Sequence, residues 1–212
     1  MYRKYTPAAF SNLANSVQGV VVYLWRELQK ISDAIIIDDV WDDYTSPMAS
    51  GKSPAAAPTP TAFGPNGITE QLKFAVNDIV YLNFHILHDI SRNTKVYPHI
   101  HWSHDVTASG SATWQLTYSV AKGHDQESFP ADTTANFAIK LNDSMPWRHI
   151  ISEVSDNAAF AAPEPDSVVL TRVKLTANNS NANVFGLYVD LHYQKDRAGT
   201  RYKAPDFYGE LE

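Results

Sequence analysis

The sequence predicts a mainly β chain, an antiparallel β-sandwich or jelly roll preceded by an N-terminal amphipathic helix, and three observations carry that reading. From Ile68 onward, short apolar alternations recur at close spacing with no helical stretch between them, as in folds of packed antiparallel strands. In the clearest of these, residues 112–121, Trp114, Leu116, Tyr118 and Val120 alternate with Thr113, Gln115, Thr117 and Ser119, giving one buried and one wet face. The second half is rich in Val, Thr, Tyr and Phe, and 12% of all residues are aromatic, a balance that suits pleated, half-buried surfaces.

Composition narrows the function. A chain of 212 residues has room for one ordinary domain plus an appended element. A formal charge of −6 with 17 Lys and Arg, none strongly clustered, argues against nucleic acid as a partner. With no cysteine, disulfides, cysteine-zinc sites and cysteine nucleophiles are excluded. Arg3 and Lys4 precede a segment carrying Asn12, Asn15 and Gln18, so a secretory signal is not expected. No apolar run approaches the ~20 residues that span a bilayer, and no membrane partner is expected.

Along the chain, Leu13, Val17, Val20, Leu24, Leu28, Ile31 and Ile35 follow one another at intervals of 4, 3, 4, 4, 3 and 4 residues, the stripe of an amphipathic helix. The stripe, with Trp25 beside it, suits either the helix's own domain or a partner helix. The first 44 residues are read as a helical anchor. Residues 45–66, with five prolines and many alanines, are read as a linker or long arm. Residues 67–203 form the expected β-sandwich domain and 204–212 a C-terminal tail. Strands are expected at 70–76, 79–87 (Val80, Leu82, Phe84 and Ile86 inward, Asn77-Asp78 as the preceding turn), 96–102, 112–121, 137–141, 147–154, 168–177 and 184–194. Pro98 cannot donate to a ladder, which places the strand at 96–102 at an edge or a bulge. On the last strand, Phe185, Leu187, Val189, Leu191 and Tyr193 make the apolar face.

The densest chemistry lies in Tyr97-Pro98-His99-Ile100-His101-Trp102. Residues two apart on a strand share a face, so His99 and His101 stand together with Tyr97, while Val96, Ile100 and Trp102 point inward. A His-x-His pair on a small jelly roll suggests a cupin-like metal enzyme, with His99, His101, Asp105 or His104, and His192 as candidates. Phase argues against it. A cupin metal lies inside the barrel, whereas this pair points outward, and His192 and Asp190 do the same on their own strand. The expectation is therefore no catalytic residue, no metal and no cofactor, with Tyr97, His99, His101, Tyr188, Asp190 and His192 as subunit-interface candidates. His85, His88, His124 and His149 have no spacing partners and are expected at the surface or locally satisfied. Asp38, Asp39, Asp42 and Asp43 are expected on a solvated face.

The segment Tyr97-Pro98-His99-Ile100-His101-Trp102, with Tyr81-Leu82-Asn83-Phe84-His85-Ile86-Leu87-His88 before it and Trp114-Gln115-Leu116-Thr117-Tyr118 after it, resembles the β domain of tailed-phage structural proteins. The ending Val189-Asp190-Leu191-His192-Tyr193, then Asp196-Arg197-Ala198-Gly199-Thr200-Arg201, resembles that domain's closing strand and tail. Independently, Val22-Tyr23-Leu24-Trp25-Arg26-Glu27-Leu28-Gln29-Lys30-Ile31 is similar to N-terminal anchors of podophage tail fibres. The resemblance implies a non-enzymatic virion protein, a short tail fibre or tail-associated appendage. It implies a homotrimer bound to other tail proteins through Leu13, Val17, Val20, Leu24, Trp25, Leu28, Ile31 and Ile35, with a host receptor as a further possible partner. Such a protein is made in the host cytoplasm and resides in the virion tail. A capsid decoration protein built on the same β domain is the alternative within the virion class.

Overall fold

The computed structural model describes residues 17–28, 40–52, 54–91, 94–124, 127–153 (backbone alone at 142–144), 159–161, 163–196, 199–200 and 202–204. Leu13, Ile31, Ile35, Asp38, Asp39 and the expected tail beyond residue 204 lie outside the described residues. The chain divides into two compact units, Met1–Val40 and Trp41–Glu212. In the first, residues 17–28 are helical, as the apolar interval predicts. Val17, Leu24, Trp25 and Leu28 are 55, 53, 60 and 63% exposed, and Val20 and Val21 each 57%. No described helix is long and apolar enough to cross a membrane.

The second unit is built from β1 (Val40–Pro47), a 3₁₀ turn (Met48–Ser50), β2 (Thr59–Phe63), β3 (Thr69–Phe74), β4 (Ile79–His85), β5 (Lys95–His104), β6 (Ala108–Ala121), β7 (Thr133–Ser144), β8 (Ile150–Glu153), β9 (Phe160–Ala161), β10 (Val168–Asn178) and β11 (Val184–Lys195). One sheet runs β2-β3-β11-β5-β8, with β1 added on β11 and β9 on β5; the other runs β4-β10-β6-β7. Among the main strands the pairing is nested: β3 with β11, β4 with β10, β5 with β8, β6 with β7, each antiparallel. A long antiparallel ribbon folded over on itself gives this order, which is that of a jelly roll.

Alternation sets the core. Val80, Leu82 and Phe84 of β4, Ile100 and Trp102 of β5, Trp114 and Leu116 of β6, Val169, Val173 and Leu175 of β10, and Val189, Leu191 and Tyr193 of β11 are buried together between the sheets. Side chains of this size each contribute about 1.5–3 kcal/mol on burial. The indole of Trp102 is satisfied where it lies, donating to Ser152 Oγ at 2.9 Å. The turn at Asn77-Asp78 forms as expected, with Asn77 at φ 78° and the Asp78 carboxylate accepting from the Ala75 amide.

Four expectations are corrected. Residues 45–66 are not a linker. Their 3₁₀ turn drops Met48 fully into the core, where Gly186 leaves room because it has no Cβ, and β2 pairs along all of its length with β3. Pro60 is tolerated because β2 is an edge strand. Pro98, by contrast, is not on an edge strand: β5 lies between β11 and β8/β9. It falls in the gap between the residues paired with β9 (Lys95, Val96) and those paired with β8 (His99–Trp102), where one ladder is interrupted.

On β11 the inward phase does not run unbroken. A bulge between Gly186 and Tyr188 shifts the register, so Val184 joins the core while Phe185 is buried on the other face against Phe63 and Trp147, at centroid distances of 5.3 and 5.8 Å. Last, the wet face of β6 is partly covered. Thr117 and Ser119 are buried, with Ser119 Oγ donating to Pro130 O and Arg172 donating to Thr117.

Candidate functional site

All six residues expected on one polar face are brought together there. In the β5–β11 register Tyr97 lies opposite His192, His99 opposite Asp190 and His101 opposite Tyr188, and cross-strand partners on one face are the closest side-chain neighbours a sheet provides. The face is the outer one, as the phase predicts. It is not open, however: His99, His101 and Asp190 are 8, 5 and 3% exposed. As interface candidates these three are corrected, because the chain covers them itself.

The cover comes from segments far away in sequence. His149, just before β8, stacks on His101 at 4.9 Å and places its Nε2 2.7 Å from His101 Nδ1. The Tyr188 ring stacks on His101 at 4.1 Å, and His192 stacks on His99 at 5.1 Å. Trp41 of β1 then lies flat on His192 at 4.7 Å and edge-on to Tyr97. Asp43 holds His192 Nδ1 at 2.6 Å, and Asp42 pairs with Lys195 at 2.8 Å. The described part of the acidic cluster is therefore partnered along β11, Asp43 by His192 and Asp42 by Lys195, instead of being only solvated, and the Lys195 hydrogen bond is the main reason the Asp42 carboxyl is held below its usual range. His149, likewise, is no ordinary surface histidine.

At the centre, His101 Nε2 lies 2.8 Å from Asp190 Oδ2, and His99 Nδ1 lies 3.4 Å from Asp190 Oδ1. Yet His101 Nε2 and Asp190 Oδ1 have no hydrogen-bond partner. The atoms are close without forming a hydrogen bond. Glu153, opposite His99 on β8, sits 3.5 Å from His99 Nε2. Burial lowers the His99 pKa, opposed in part by Asp190 and Glu153, and burial followed by the neighbouring His101 lowers that of His149. Burial, then the Asp190 charge, raises that of Tyr188. Among the described residues, His99, His101 and Asp190 form the one group whose ligand atoms converge to within 4.8 Å.

Of the other cupin candidates, His192 stacks on His99 but is held by Asp43, and His104 and Asp105 lie elsewhere. His104 lies fully buried on the opposite face, its Nδ1 2.7 Å from Val106 O. Asp105 accepts from the Asn183 backbone and side chain, closing the turn before β11.

A second histidine group, unforeseen from spacing, gathers on Asp166. His124 Nε2 is 2.9 Å from its carboxylate, and His85 and His88 Nε2 are each 3.3 Å away. Asp166 has φ 63° and donates its amide to Ile86 O. The hydrogen bond from His124, more than the nearby histidine charges, lowers its pKa. On the outer face of the four-stranded sheet, Tyr81, Phe129, Leu170 and Arg172 line a shallow groove.

Neither a family model nor a curated protein matches the chain. Solved structures with a similar strand layout include the CBM36-1 domain of a multidomain xylanase from the hindgut metagenome of Trinervitermes trinervoides. It is 9% identical with a TM-score of 0.41, and the alignment covers 71% of this chain and 96% of that one. The insecticidal delta-endotoxin Cry8Ea1 of Bacillus thuringiensis is 10% identical with a TM-score of 0.41, covering 71 and 24%. The enzymatically active domain of bacteriophage CBA120 tailspike protein 4 is 11% identical with a TM-score of 0.33, covering 73 and 19%. The fold assignment rests on the strand pairing itself and not on these likenesses.

Proposed function

We propose that the chain is a non-enzymatic virion structural protein, a tail fibre or tail-associated appendage, in which the N-terminal helix is the attachment segment and the jelly roll is the body. The observation that carries this reading is the helix at residues 17–28. Val17, Val20, Leu24 and Leu28, with Val21 and Trp25 beside them, all lie more than half exposed, and the first four form an apolar stripe at intervals of 3, 4 and 4 residues that match those of helices that pack on copies of themselves. Exposed apolar side chains gathered on one face mark an interaction surface. The occupant we assign is the same helix of neighbouring copies, with tail proteins seated on the resulting bundle. The motif resemblance at residues 22–31 supports the same assignment.

The test is a chain lacking residues 1–40, compared with the full chain by mass in solution and by incorporation into virions. The full chain is expected to form a homo-oligomer, a trimer by the resemblance, and to localise to the tail by imaging. The shortened chain is expected to be a folded monomer absent from particles. Incorporation of the shortened chain overturns the reading, and imaging of the full chain on the head converts it to a decoration protein.

A further inference from the structure

We propose that His99 Nδ1, His101 Nε2 and the Asp190 carboxylate form a binding site for a divalent first-row transition-metal ion of the zinc type, which ties β5 to β11 on the outer face of the sandwich. This goes beyond the virion reading and does not depend on it.

The first support is geometric. A tetrahedral ion about 2.1 Å from each donor spaces those donors about 3.4 Å apart. His99 Nδ1 and Asp190 Oδ1 are 3.4 Å apart, His101 Nε2 and Asp190 Oδ2 are 2.8 Å apart, and one ligand atom from each of the three residues falls within 4.8 Å of the others. The second is the unpaired state of the group. His101 Nε2 and Asp190 Oδ1 are buried without hydrogen bonds, and leaving such atoms unsatisfied costs about 1–3 kcal/mol each.

The proton positions sharpen the point. His101 Nδ1 and His149 Nε2 share one hydrogen bond. If His101 donates it, neutral His101 turns a lone pair toward a carboxylate oxygen 2.8 Å away, and a cation bound by both removes the conflict. If His149 donates it, His101 Nε2 carries the proton and still has no hydrogen-bond partner. Glu153, 3.5 Å from His99 Nε2, is placed as His149 is, to hold the far nitrogen of a metal-bound imidazole. Partners of this kind orient ligands in metal sites.

Two imidazoles with one carboxylate select zinc, cobalt, nickel, iron or manganese over magnesium or calcium. Tyr188 and His149 stack over His101, and three protein donors leave the fourth position of a tetrahedral ion to water.

The experiment uses the full chain, stripped with a chelator and then exposed separately to Zn²⁺, Co²⁺ and Mg²⁺. Expected are stoichiometric Zn²⁺ retained through desalting by elemental analysis, a visible Co²⁺ ligand-field spectrum, and a thermal midpoint raised by Zn²⁺ but not by Mg²⁺. The His99→Ala, His101→Ala double variant should lose all three, and His149→Ala should weaken Zn²⁺ affinity about 10-fold. Asp166→Asn, which dismantles the other histidine group, should retain them. Absence of retention, spectrum and midpoint shift in the wild type overturns the proposal, whether or not the double variant folds. Retention that survives the double variant, or that is lost only in Asp166→Asn, overturns it as well.

Discussion

Two groups of histidines are each organised around one aspartate, and they differ in almost everything but composition. Asp190 is a residue of a central strand beside His101, on which Tyr188 and His149 stack, and its side chain is 5% exposed. Asp166 is a turn residue ahead of β10, its side chain 27% exposed, and its three histidines reach it from loops and the end of β4. The same pairing chemistry thus sits at two depths. In water, an ion pair contributes little because the solvent competes for both partners; under a layer of rings, removing one partner strands the other. The difference lies in the cover, not in the residues.

The largest effect that tests this contrast is Asp190→Ala. Measured by urea unfolding in the presence of a chelator, it should cost about 3 kcal/mol, because the carboxylate 2.8 Å from His101 Nε2 and 3.4 Å from His99 Nδ1 is removed from a covered group. A loss no greater than that of Asp166→Asn would erase the distinction. His149→Ala comes next, at about 1 kcal/mol for the hydrogen bond to His101 and part of its cover. A neutral result there would mean that Tyr188 alone shields the site.

Asp166→Asn should cost under about 1 kcal/mol, and its pH dependence is fixed in sign. The folded carboxyl titrates below its ordinary value of 3.8, so its contribution is present above that value and fades as pH falls through the folded one. Wild type and Asp166→Asn should therefore converge in stability under acid conditions. A gap between them that widens as pH falls would mean that the histidines do not favour the carboxylate.

The inward and outward phases of β5 were legible because a two-residue period is local: Val96, Ile100 and Trp102 could only go one way once His99 and His101 went the other. β11 shows where that logic stops. Leu187, the extra residue of the bulge, is apolar and preserves the written alternation while the backbone changes phase, which sends Phe185 outward. The cover of the site was illegible for another reason. Trp41 and His149 lie 58 and 48 residues from His99 and His101 in sequence, and no local pattern announces that they return. The proline-rich arm misled because edge strands accept proline, so composition alone does not separate β2 from a linker. Of the helix, the existence of an apolar stripe was legible; its occupant was not, since a stripe records only that something apolar must meet it.

The nested strand order also governs when the domain can form. Both sheets have partners drawn from opposite ends of the sequence, and β11, the last strand, lies between β3 and β5. Contacts of such long sequence separation slow folding. Before residues 184–195 emerge from the ribosome, β3 and β5 lack their common neighbour and Asp190, a ligand of the proposed metal site, does not exist. A prematurely terminated chain would therefore keep two open edges and an uncovered core.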